Sequence, residues 1–132
     1  MKRVRVVAGI VQRAGQVLCA RRGQSQDRTG LWEFPGGKVE AGEDDGTALA
    51  RELREELGIG VAVREHVATA EWAEEGRLIE LVGYRCSIID GDPAPREHAE
   101  IRWVEPSGLS DLDWAPADLP IVAALSGRAA CT

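Results

Sequence analysis

The chain has 132 residues, of which 44% are hydrophobic and 29% are charged, and its formal net charge at pH 7 is −6. These values predict one globular domain spanning residues 1–132, long enough to bury a hydrophobic core and too short to divide into two. The acidic balance argues against polymeric nucleic acid as a partner, and no segment has the length of a membrane span. An acidic protein can still bind an anionic nucleotide if divalent cations lie between the two sets of negative charges.

The three cysteines, Cys19, Cys86 and Cys131, are far apart and show no spacing typical of a metal site. Cys19 and Cys86 lie within apolar segments, so we expect buried, reduced thiols. The N-terminal residues lack the apolar stretch and cleavage site of a signal peptide. The sequence therefore predicts a cytoplasmic protein.

The chain begins with two predicted strands, residues 3–12 and 17–20, which are separated by a short turn. A polar loop over residues 21–30 follows them. A short strand over residues 31–34 then ends at Pro35-Gly36-Gly37. These last three residues predict a bend that leaves backbone groups accessible to a ligand.

A helix is predicted to begin at Asp44 or Asp45, which are both good N-cap residues, and to end at Gly58. Leucines recur at every fourth position along it, which gives an apolar stripe for packing on a sheet. The stripe consists of Leu49, Leu53 and Leu57.

The second half of the chain predicts two long strands, residues 61–72 and 77–89, which are joined by a tight turn. A short strand over residues 101–104 and a final helix over residues 118–125, with Asp118 as its cap, complete the pattern. The predicted architecture is a mixed sheet with one central helix and one C-terminal helix, an α/β/α layering within the α+β class.

The central helix carries three glutamates on a face separate from the leucine stripe: Glu52, Glu55 and Glu56. Their carboxylates repel one another, and the spacing of Arg51 and Arg54 turns these arginines partly away from them. The cluster is either a solvated charged face or a site for a hard cation, which prefers oxygen ligands. The spacing alone leaves both interpretations open.

The segment from Gly37 to Ile59 resembles the signature of the Nudix hydrolases. In that signature Gly, five residues, Glu, and seven residues precede Arg-Glu-aliphatic-any-Glu-Glu-any-Gly-aliphatic, and all nine specified positions agree here. The resemblance implies the Nudix fold, an α/β/α sandwich in which a mixed sheet lies between the catalytic helix and a C-terminal helix. It also implies hydrolysis of a phosphoric anhydride with Mg²⁺ as cofactor, for which Mn²⁺ would substitute.

The resemblance assigns roles to residues of this chain. The implied metal ligands are a backbone carbonyl and three carboxylates, those of Gly36, Glu52, Glu55 and Glu56. Glu52 is also a candidate for the base that accepts a proton from the attacking water. Arg51 and Glu43 would pair and orient the carboxylates, and Lys38 would contact a phosphate oxygen.

A further metal ligand is expected outside the signature. In Nudix enzymes of the MutT type, a glutamate shortly before a strand tryptophan completes the metal site. Glu97, six residues before Trp103, matches that position best, and Glu100 is a second candidate. His98 could carry a proton near neutral pH, but a lone loop histidine is more often incidental, and we leave it out of the predicted site.

Residues 31–38 and 113–118 resemble the MutT-related nucleoside triphosphate branch of the family, including its CTP-hydrolysing and dCTP-acting members. In that branch the residue aligned with Asp118 contacts the base. An ionised Asp offers only acceptors, which favours a base edge with an amino donor, such as that of cytosine. Oxidised guanine is an alternative base, because its two adjacent donors could engage both carboxylate oxygens. Asp118 could also simply cap the last helix.

Aromatic and basic residues near the second and third strands complete the predicted substrate site. Phe34 and Trp32 are candidates for stacking on the base, and the family alignment favours Phe34. Arg22 is a candidate phosphate or sugar contact, because Arg suits bidentate binding of oxygen pairs.

The sequence therefore predicts Mg²⁺-dependent hydrolysis of a cytidine-type nucleoside triphosphate, including modified forms, to the monophosphate and pyrophosphate. The alternatives are sanitation of oxidised purine nucleotides such as 8-oxo-dGTP, hydrolysis of ADP-ribose or a dinucleotide, and a catalytically silent nucleotide-binding module. The expected partner is a small-molecule nucleotide, and the expected assembly is a monomer or homodimer.

Overall fold

The computed structural model describes residues 2–23 and 29–126. Within these residues, seven strands form one sheet. They are β1 (Lys2–Arg13), β2 (Gln16–Arg21), β3 (Trp32–Glu33), β4 (Gly36–Lys38), β5 (Gly60–Glu74), β6 (Arg77–Asp90) and β7 (Glu100–Val104). The helices are α1 (Asp45–Leu57) and α2 (Leu119–Ser126), with 3₁₀ turns at Pro106–Asp111 and Pro116–Asp118.

Strand β1 is the centre of the sheet. The strand order is β3-β2-β1-β6-β5, with β4 paired to β1 and β7 paired to β2. Strands β1 and β6 run parallel, whereas the other pairs are antiparallel, so the predicted mixed sheet is confirmed. A parallel pair needs a crossover connection, and the long connection from β1 to β6 contains α1.

Two hydrophobic cores lie on opposite faces of this sheet. On one face Val7 and Val11 of β1 pack with the leucine stripe of α1. On the other face Ala8 and Ile10 pack near α2. Because side chains alternate across a strand, β1 supplies both cores and is buried on both sides. The α/β/α layering predicted from the sequence is confirmed.

Helix α1 follows its prediction closely. The carboxylate of Asp44 caps its first turn by accepting a hydrogen bond from the Thr47 amide at 2.8 Å. At the other end Gly58 adopts φ +74°, a left-handed conformation that glycine reaches without strain. The three leucines of the stripe are fully buried, as their spacing predicts.

The predicted bend at Pro35-Gly36-Gly37 continues into a strand that the sequence does not reveal. Strand β4 pairs with β1, and Gly36 lies opposite Ala8. A side chain on Gly36 would overlap the carbonyl oxygen of Val7, because its Cβ would lie 1.9 Å from that atom. Glycine therefore lets the backbone of β4 approach that of β1 closely, whereas the sequence alone predicts only a bend at this position.

The remaining predictions have mixed outcomes. The other predicted strands are present, and β5 and β6 are longer than predicted. Cys19 and Cys86 are buried free thiols, whereas Cys131 and residues 24–28 of the predicted loop lie outside the described residues. No helix in the described part of the chain is long and apolar enough to cross a membrane.

Candidate active site

The acidic face of α1 lies directly against strand β4. A Cβ atom on Gly37 would lie 2.3 Å from the carboxyl carbon of Glu52, so only glycine leaves room for that carboxylate. The backbone of Gly36 donates a hydrogen bond to the carboxylate of Glu56. The two glycines thus bring the backbone of β4 next to the helix carboxylates, and the role of the Gly36 carbonyl as a metal ligand stays a prediction.

Glu56 is the most confined carboxylate of the cluster. The residue is 8% exposed, and its Oε1 atom has no hydrogen-bond partner. Burial raises the pKa of Glu56 to about 9, and the negative charges of Glu52, Glu33 and Glu97 add to that effect. Burial also raises the pKa of Glu52, against the opposing effect of its hydrogen bond with Arg51. The carboxyl oxygens of these glutamates are buried acceptors that are all negative when ionised, and one of them has no hydrogen-bond partner. A cation bound among them would stabilise their ionised forms.

Arg51 organises the cluster. Its guanidinium donates to both oxygens of Glu43, at 2.7 and 3.0 Å, and it holds the pKa of Glu43 down at about 2. The predicted pairing of Arg51 with Glu43 is therefore present. The same guanidinium also reaches Glu52 at 3.1 Å and Glu55 at 3.3 Å.

The expectation that both flanking arginines turn away from the glutamates is wrong for Arg51. A long side chain one residue before Glu52 and four before Glu55 can reach both carboxylates along the helix surface. It is correct for Arg54, which forms an ion pair with Asp90 at 3.0 Å.

These residues fit a divalent cation, although they do not form a closed set of ligands. Among the described residues no three His, Cys, Asp or Glu side chains converge as a ready metal site. Arg51 engages two of the carboxylates, and the side chain of Glu55 is 55% exposed. The unpartnered Oε1 of Glu56 and the surrounding negative charge nevertheless suit a hard cation.

The two candidates for the additional carboxylate differ in their surroundings. Glu100 is held by Arg21 at 3.1 Å and by Arg102 at 3.0 Å, and its hydrogen bond with Arg102 lowers its pKa. The charge of Glu97 instead acts on Glu52 and Glu56, whose pKa values it raises. This arrangement favours Glu97 over Glu100 as a fourth carboxylate of the cluster.

A cleft of about 240 Å³ runs along the α2 side of the sheet and reaches strand β4. Its lining includes all four residues predicted to bind substrate, together with the glycine predicted at the metal: Arg22, Phe34, Lys38, Asp118 and Gly36. One cleft therefore contains the predicted base contact and residues of β4, the strand against which the acidic face of α1 lies, while the glutamates of that face are not part of its lining.

Asp118 lies at the inner wall of this cleft, and its carboxylate does not serve as a helix cap. The 3₁₀ turn Pro116–Asp118 leads directly into α2, and Oδ2 of Asp118 accepts a hydrogen bond from the backbone of Phe34 at 2.9 Å. Backbone bonds of β3 hold the segment before it, because Trp32 donates to Asp113 and Ala115 donates to Trp32, each at 2.8 Å. Burial raises the pKa of Asp118 to about 8, although the bond from Phe34 opposes the shift.

The two aromatic candidates have different positions. Phe34 lines the cleft, but its ring packs on Trp114 with centroids 4.6 Å apart and the residue is only 3% exposed. Trp32 is buried beneath the guanidinium of Arg102 and is not part of the cleft lining.

Two residues of the site are missing from the sequence prediction. Glu33 lines the cleft, accepts a hydrogen bond from Arg22, and contacts Nε2 of His98 at 2.7 Å. The side chain of His98 is completely buried, and its Nδ1 has no hydrogen-bond partner. The exclusion of His98 as incidental is therefore wrong in one respect, because it is part of a buried polar pair. The sequence did contain a signal for Glu33, because it is the one charged residue in the otherwise apolar segment 31–34.

The comparisons with known proteins agree with this geometry. The model of the family described as "NUDIX domain" matches residues 1–125. The chain is 43% identical to the CTP pyrophosphohydrolase of Escherichia coli (strain K12), over 94% of this chain and 92% of that protein. It is 35% identical to the 8-oxo-dGTP diphosphatase of Haemophilus influenzae, over 92% of this chain and 90% of the relative.

A solved structure supports the same comparison. The solution structure of the E. coli ORF135 protein superposes with a TM-score of 0.86 at 42% identity. The superposition covers 98% of this chain and 93% of the other.

Proposed function

The chain belongs to the NUDIX family of pyrophosphohydrolases, and we propose that it hydrolyses a cytidine-type nucleoside triphosphate, modified forms included, to the monophosphate and pyrophosphate. The observation that carries this proposal is one cleft whose lining includes both Asp118 and the β4 residues Gly36 and Lys38, because the acidic helix face lies against that strand. A nucleoside bound with its base at Asp118 would present its phosphates to the carboxylates. The similarity to a CTP pyrophosphohydrolase supports the choice of base.

The preference for cytosine follows from the chemistry of a buried carboxyl group. With a pKa of about 8, Asp118 is mostly protonated at neutral pH when no ligand is bound, so the ionised form assumed from the sequence is the minor one. A carboxylic acid offers one O–H donor and one carbonyl acceptor. Cytosine presents the complementary pair, an acceptor ring nitrogen next to an amino donor. A mismatched partner would leave a buried polar group unpaired, at about 1–3 kcal/mol.

Members of this family generally use a divalent metal, and we propose Mg²⁺, with Mn²⁺ as a substitute. The groups that would hold it are the backbone of Gly36 and the carboxylates of Glu52, Glu55, Glu56 and Glu97. When bound, such an ion offsets the negative charge of the phosphates and activates water.

The protein groups around the metal ligands have separate tasks in this proposal. Arg51 and Glu43 keep the helix carboxylates in position, and Lys38 and Arg22 contact phosphate oxygens. Glu52 accepts a proton as water attacks phosphorus, a new P–O bond forms, and the bond to the departing pyrophosphate breaks. Lys38 contributes positive charge where the phosphates gain negative charge.

Hydrolysis of an oxidised guanine nucleotide is the second candidate. The similarity to an 8-oxo-dGTP diphosphatase supports it, and so does the ability of an ionised Asp118 to accept from two adjacent donors. Both candidates fit a cytoplasmic enzyme, a monomer or homodimer, that acts in pyrimidine metabolism or in sanitation of the nucleotide pool. The free thiols of Cys19 and Cys86 are consistent with that compartment.

A substrate panel tests the proposal. Purified protein with Mg²⁺ is incubated with unmodified, methylated and oxidised nucleoside triphosphates, ADP-ribose and a dinucleotide polyphosphate. We expect the highest kcat/KM with a cytidine-type triphosphate, and the monophosphate and pyrophosphate as products. The highest value with 8-oxo-dGTP would instead support the second candidate. The absence of turnover with every triphosphate would contradict both.

A matched pair of variants tests the proposed fourth carboxylate. We expect Glu97→Gln to weaken Mg²⁺-dependent activation by about 10–100-fold, the range seen when groups supporting a metal site are removed. Glu100→Gln removes the same charge three residues away from a carboxylate already paired with two arginines, and it should leave that activation unchanged. The Mg²⁺ concentration for half-maximal rate is the measurement. The reverse ranking would assign the role to Glu100.

A further inference from the structure

The β5–β6 hairpin forms part of the cleft wall and includes an exposed tryptophan. Trp72 lines the cleft and is 38% exposed. Trp32 and Trp114, by contrast, are almost completely buried. An indole that stays open to water while forming the wall of a cleft is an apolar surface that a ligand could cover.

The indole of Trp72 is held in place by polar neighbours. Its Nε1–H donates to Glu74 at 2.8 Å, and Glu74 forms an ion pair with Arg77 at 3.5 Å. Glu74 and Arg77 also lie directly opposite each other in the strand pairing, and both line the cleft. Because its one polar atom is already bonded, the ring offers apolar faces rather than a donor to the cleft.

The strand register places Trp72 on the face of the sheet that forms the cleft floor. It lies opposite Ile79, and the next pair on the same face is Ala70 with Leu81. Ile79 and Leu81 also line the cleft. The 3₁₀ turn Pro116–Asp118 packs against β5 on this side of the sheet, so Trp72 and Asp118 face one shared space.

We propose that Trp72 forms the stacking surface of the nucleobase subsite, while Asp118 contacts the edge of the same base. This inference rests on the proposed function and assigns the stacking contact to a residue of the hairpin. Phe34 cannot provide it, because its ring already packs against Trp114 and the residue is nearly inaccessible. Every base has an aromatic face, so Trp72 would contribute affinity for cytosine and guanine alike, and selectivity would stay with Asp118.

Binding of nucleoside monophosphates without metal tests the stacking contact separately from hydrolysis. CMP and 8-oxo-GMP are titrated into the full chain and its variants by calorimetry, with ribose 5-phosphate as a probe that lacks the base. We expect Trp72→Ala to weaken binding of both nucleotides by about 5–150-fold, the loss typical of one base–aromatic stack, with ribose 5-phosphate unaffected. Trp72→Phe should retain most of the affinity, because it keeps an aromatic face.

Fluorescence and a control variant exclude a merely structural role. Stacking should quench the indole emission when CMP binds, and that quenching should disappear in Trp72→Phe while binding persists. Ile89→Ala removes another exposed apolar side chain from the same hairpin, outside the cleft lining, and should change neither measurement.

Three results would overturn the inference: unchanged CMP binding in Trp72→Ala, an equal loss for ribose 5-phosphate, or no nucleotide binding by the unaltered chain. The proposed function fails separately. Triphosphates that are bound but not hydrolysed would contradict the hydrolysis and leave the stacking contact intact. Turnover with unchanged nucleotide affinity in Trp72→Ala would contradict only the stacking contact.

Discussion

The two parts of the site, a metal end at β4 and α1 and a base end around Asp118, are built in different ways. The metal end comes from one continuous stretch, in which β4 and α1 bring Gly36, Gly37 and the helix glutamates together. The base end is assembled from β3, the β5–β6 hairpin and the turn before α2, which are far apart in the chain. The difference explains why local spacing predicts the reaction, whereas the substrate depends on tertiary contacts.

The buried carboxyl groups at the two ends also have different surroundings. At the metal end the negative charges of neighbouring acidic side chains raise the pKa of Glu56, and one oxygen of Glu56 has no hydrogen-bond partner. At the base end Asp118 accepts a backbone hydrogen bond while burial keeps its pKa high. The first arrangement suits a positive ion, and the second suits a neutral hydrogen-bonding group. Variants of Glu56, Asp118 and His98 test this contrast.

The largest effect is expected for Glu56→Gln at the metal end. This variant keeps the shape of the side chain and removes its charge, so we expect kcat to fall by orders of magnitude while the fold is retained. Glu105→Gln, which removes an exposed carboxylate away from the cleft, is the matched control. Steady-state rates of hydrolysis with Mg²⁺ are the measurement. A rate close to that of the unaltered chain would remove Glu56 from the metal site.

The same variant should have the opposite effect on stability without metal. The pKa of Glu56 is about 9 in the folded chain and 4.5 in its reference state, so the folded chain holds an extra proton between these values. The free energy of unfolding of the unaltered chain therefore falls as pH rises from about 4.5 to about 9. Glu56→Gln lacks this contribution and should melt at a higher temperature in EDTA, increasingly so toward pH 9. Melting curves that shift in parallel at every pH would contradict the argument.

A smaller effect, on selectivity, is expected for Asp118 at the base end. As pH rises through about 8, Asp118 loses its proton and becomes a pure acceptor. The ratio of kcat/KM for dCTP to that for 8-oxo-dGTP should therefore fall, by about tenfold if one mismatched hydrogen bond is exchanged for another.

Asp118→Asn is the matched variant for this selectivity. Its amide can accept the bond from the Phe34 backbone and still present a donor to the base, as the protonated acid does. We expect its substrate ratio to favour dCTP at every pH. A variant whose ratio still changes around pH 8 would place the titrating group elsewhere.

The contrast between the ends also explains how far the sequence could be interpreted. The leucine stripe and the Asp44 cap are local patterns, and both appear in α1 as predicted. The strand at Gly36–Lys38 was not predictable, because its glycines make it possible through contact with Val7, which is distant in the chain. The prediction that Asp118 caps α2 was wrong for the same reason. Its carboxylate accepts a hydrogen bond from the backbone amide of Phe34, which is distant in the chain.

The site shows the same division. The pairing of Arg51 with Glu43 follows from the family signature and is present. The second set of contacts made by Arg51, to Glu52 and Glu55, depends on the conformation of a long side chain and was predicted wrongly. His98 has no local pattern that distinguishes it from an exposed loop residue, and its burial becomes visible only when its loop packs against Glu33.

The smallest effect is expected for His98, which contacts Glu33 of the cleft lining. It follows Glu97 in the chain, and its Nε2 contacts Glu33, whose other oxygen accepts from Arg22 in the cleft. We therefore expect His98 to position Glu33. His98→Asn places no donor near the former Nε2 and should raise KM by about 2–10-fold, the range for one net hydrogen bond, with kcat little changed. His98→Gln, whose amide nitrogen can occupy that position, should retain most of the substrate affinity.

A double-mutant cycle separates this role from general packing. If His98 acts through Glu33, the KM effect of His98→Asn should disappear in a chain that already carries Glu33→Gln, because there is no longer a carboxylate to position. A purely structural role would instead add the two effects and lower the melting temperature equally in His98→Gln and His98→Asn. An unchanged KM effect in the Glu33→Gln chain would therefore show that His98 does not act through Glu33.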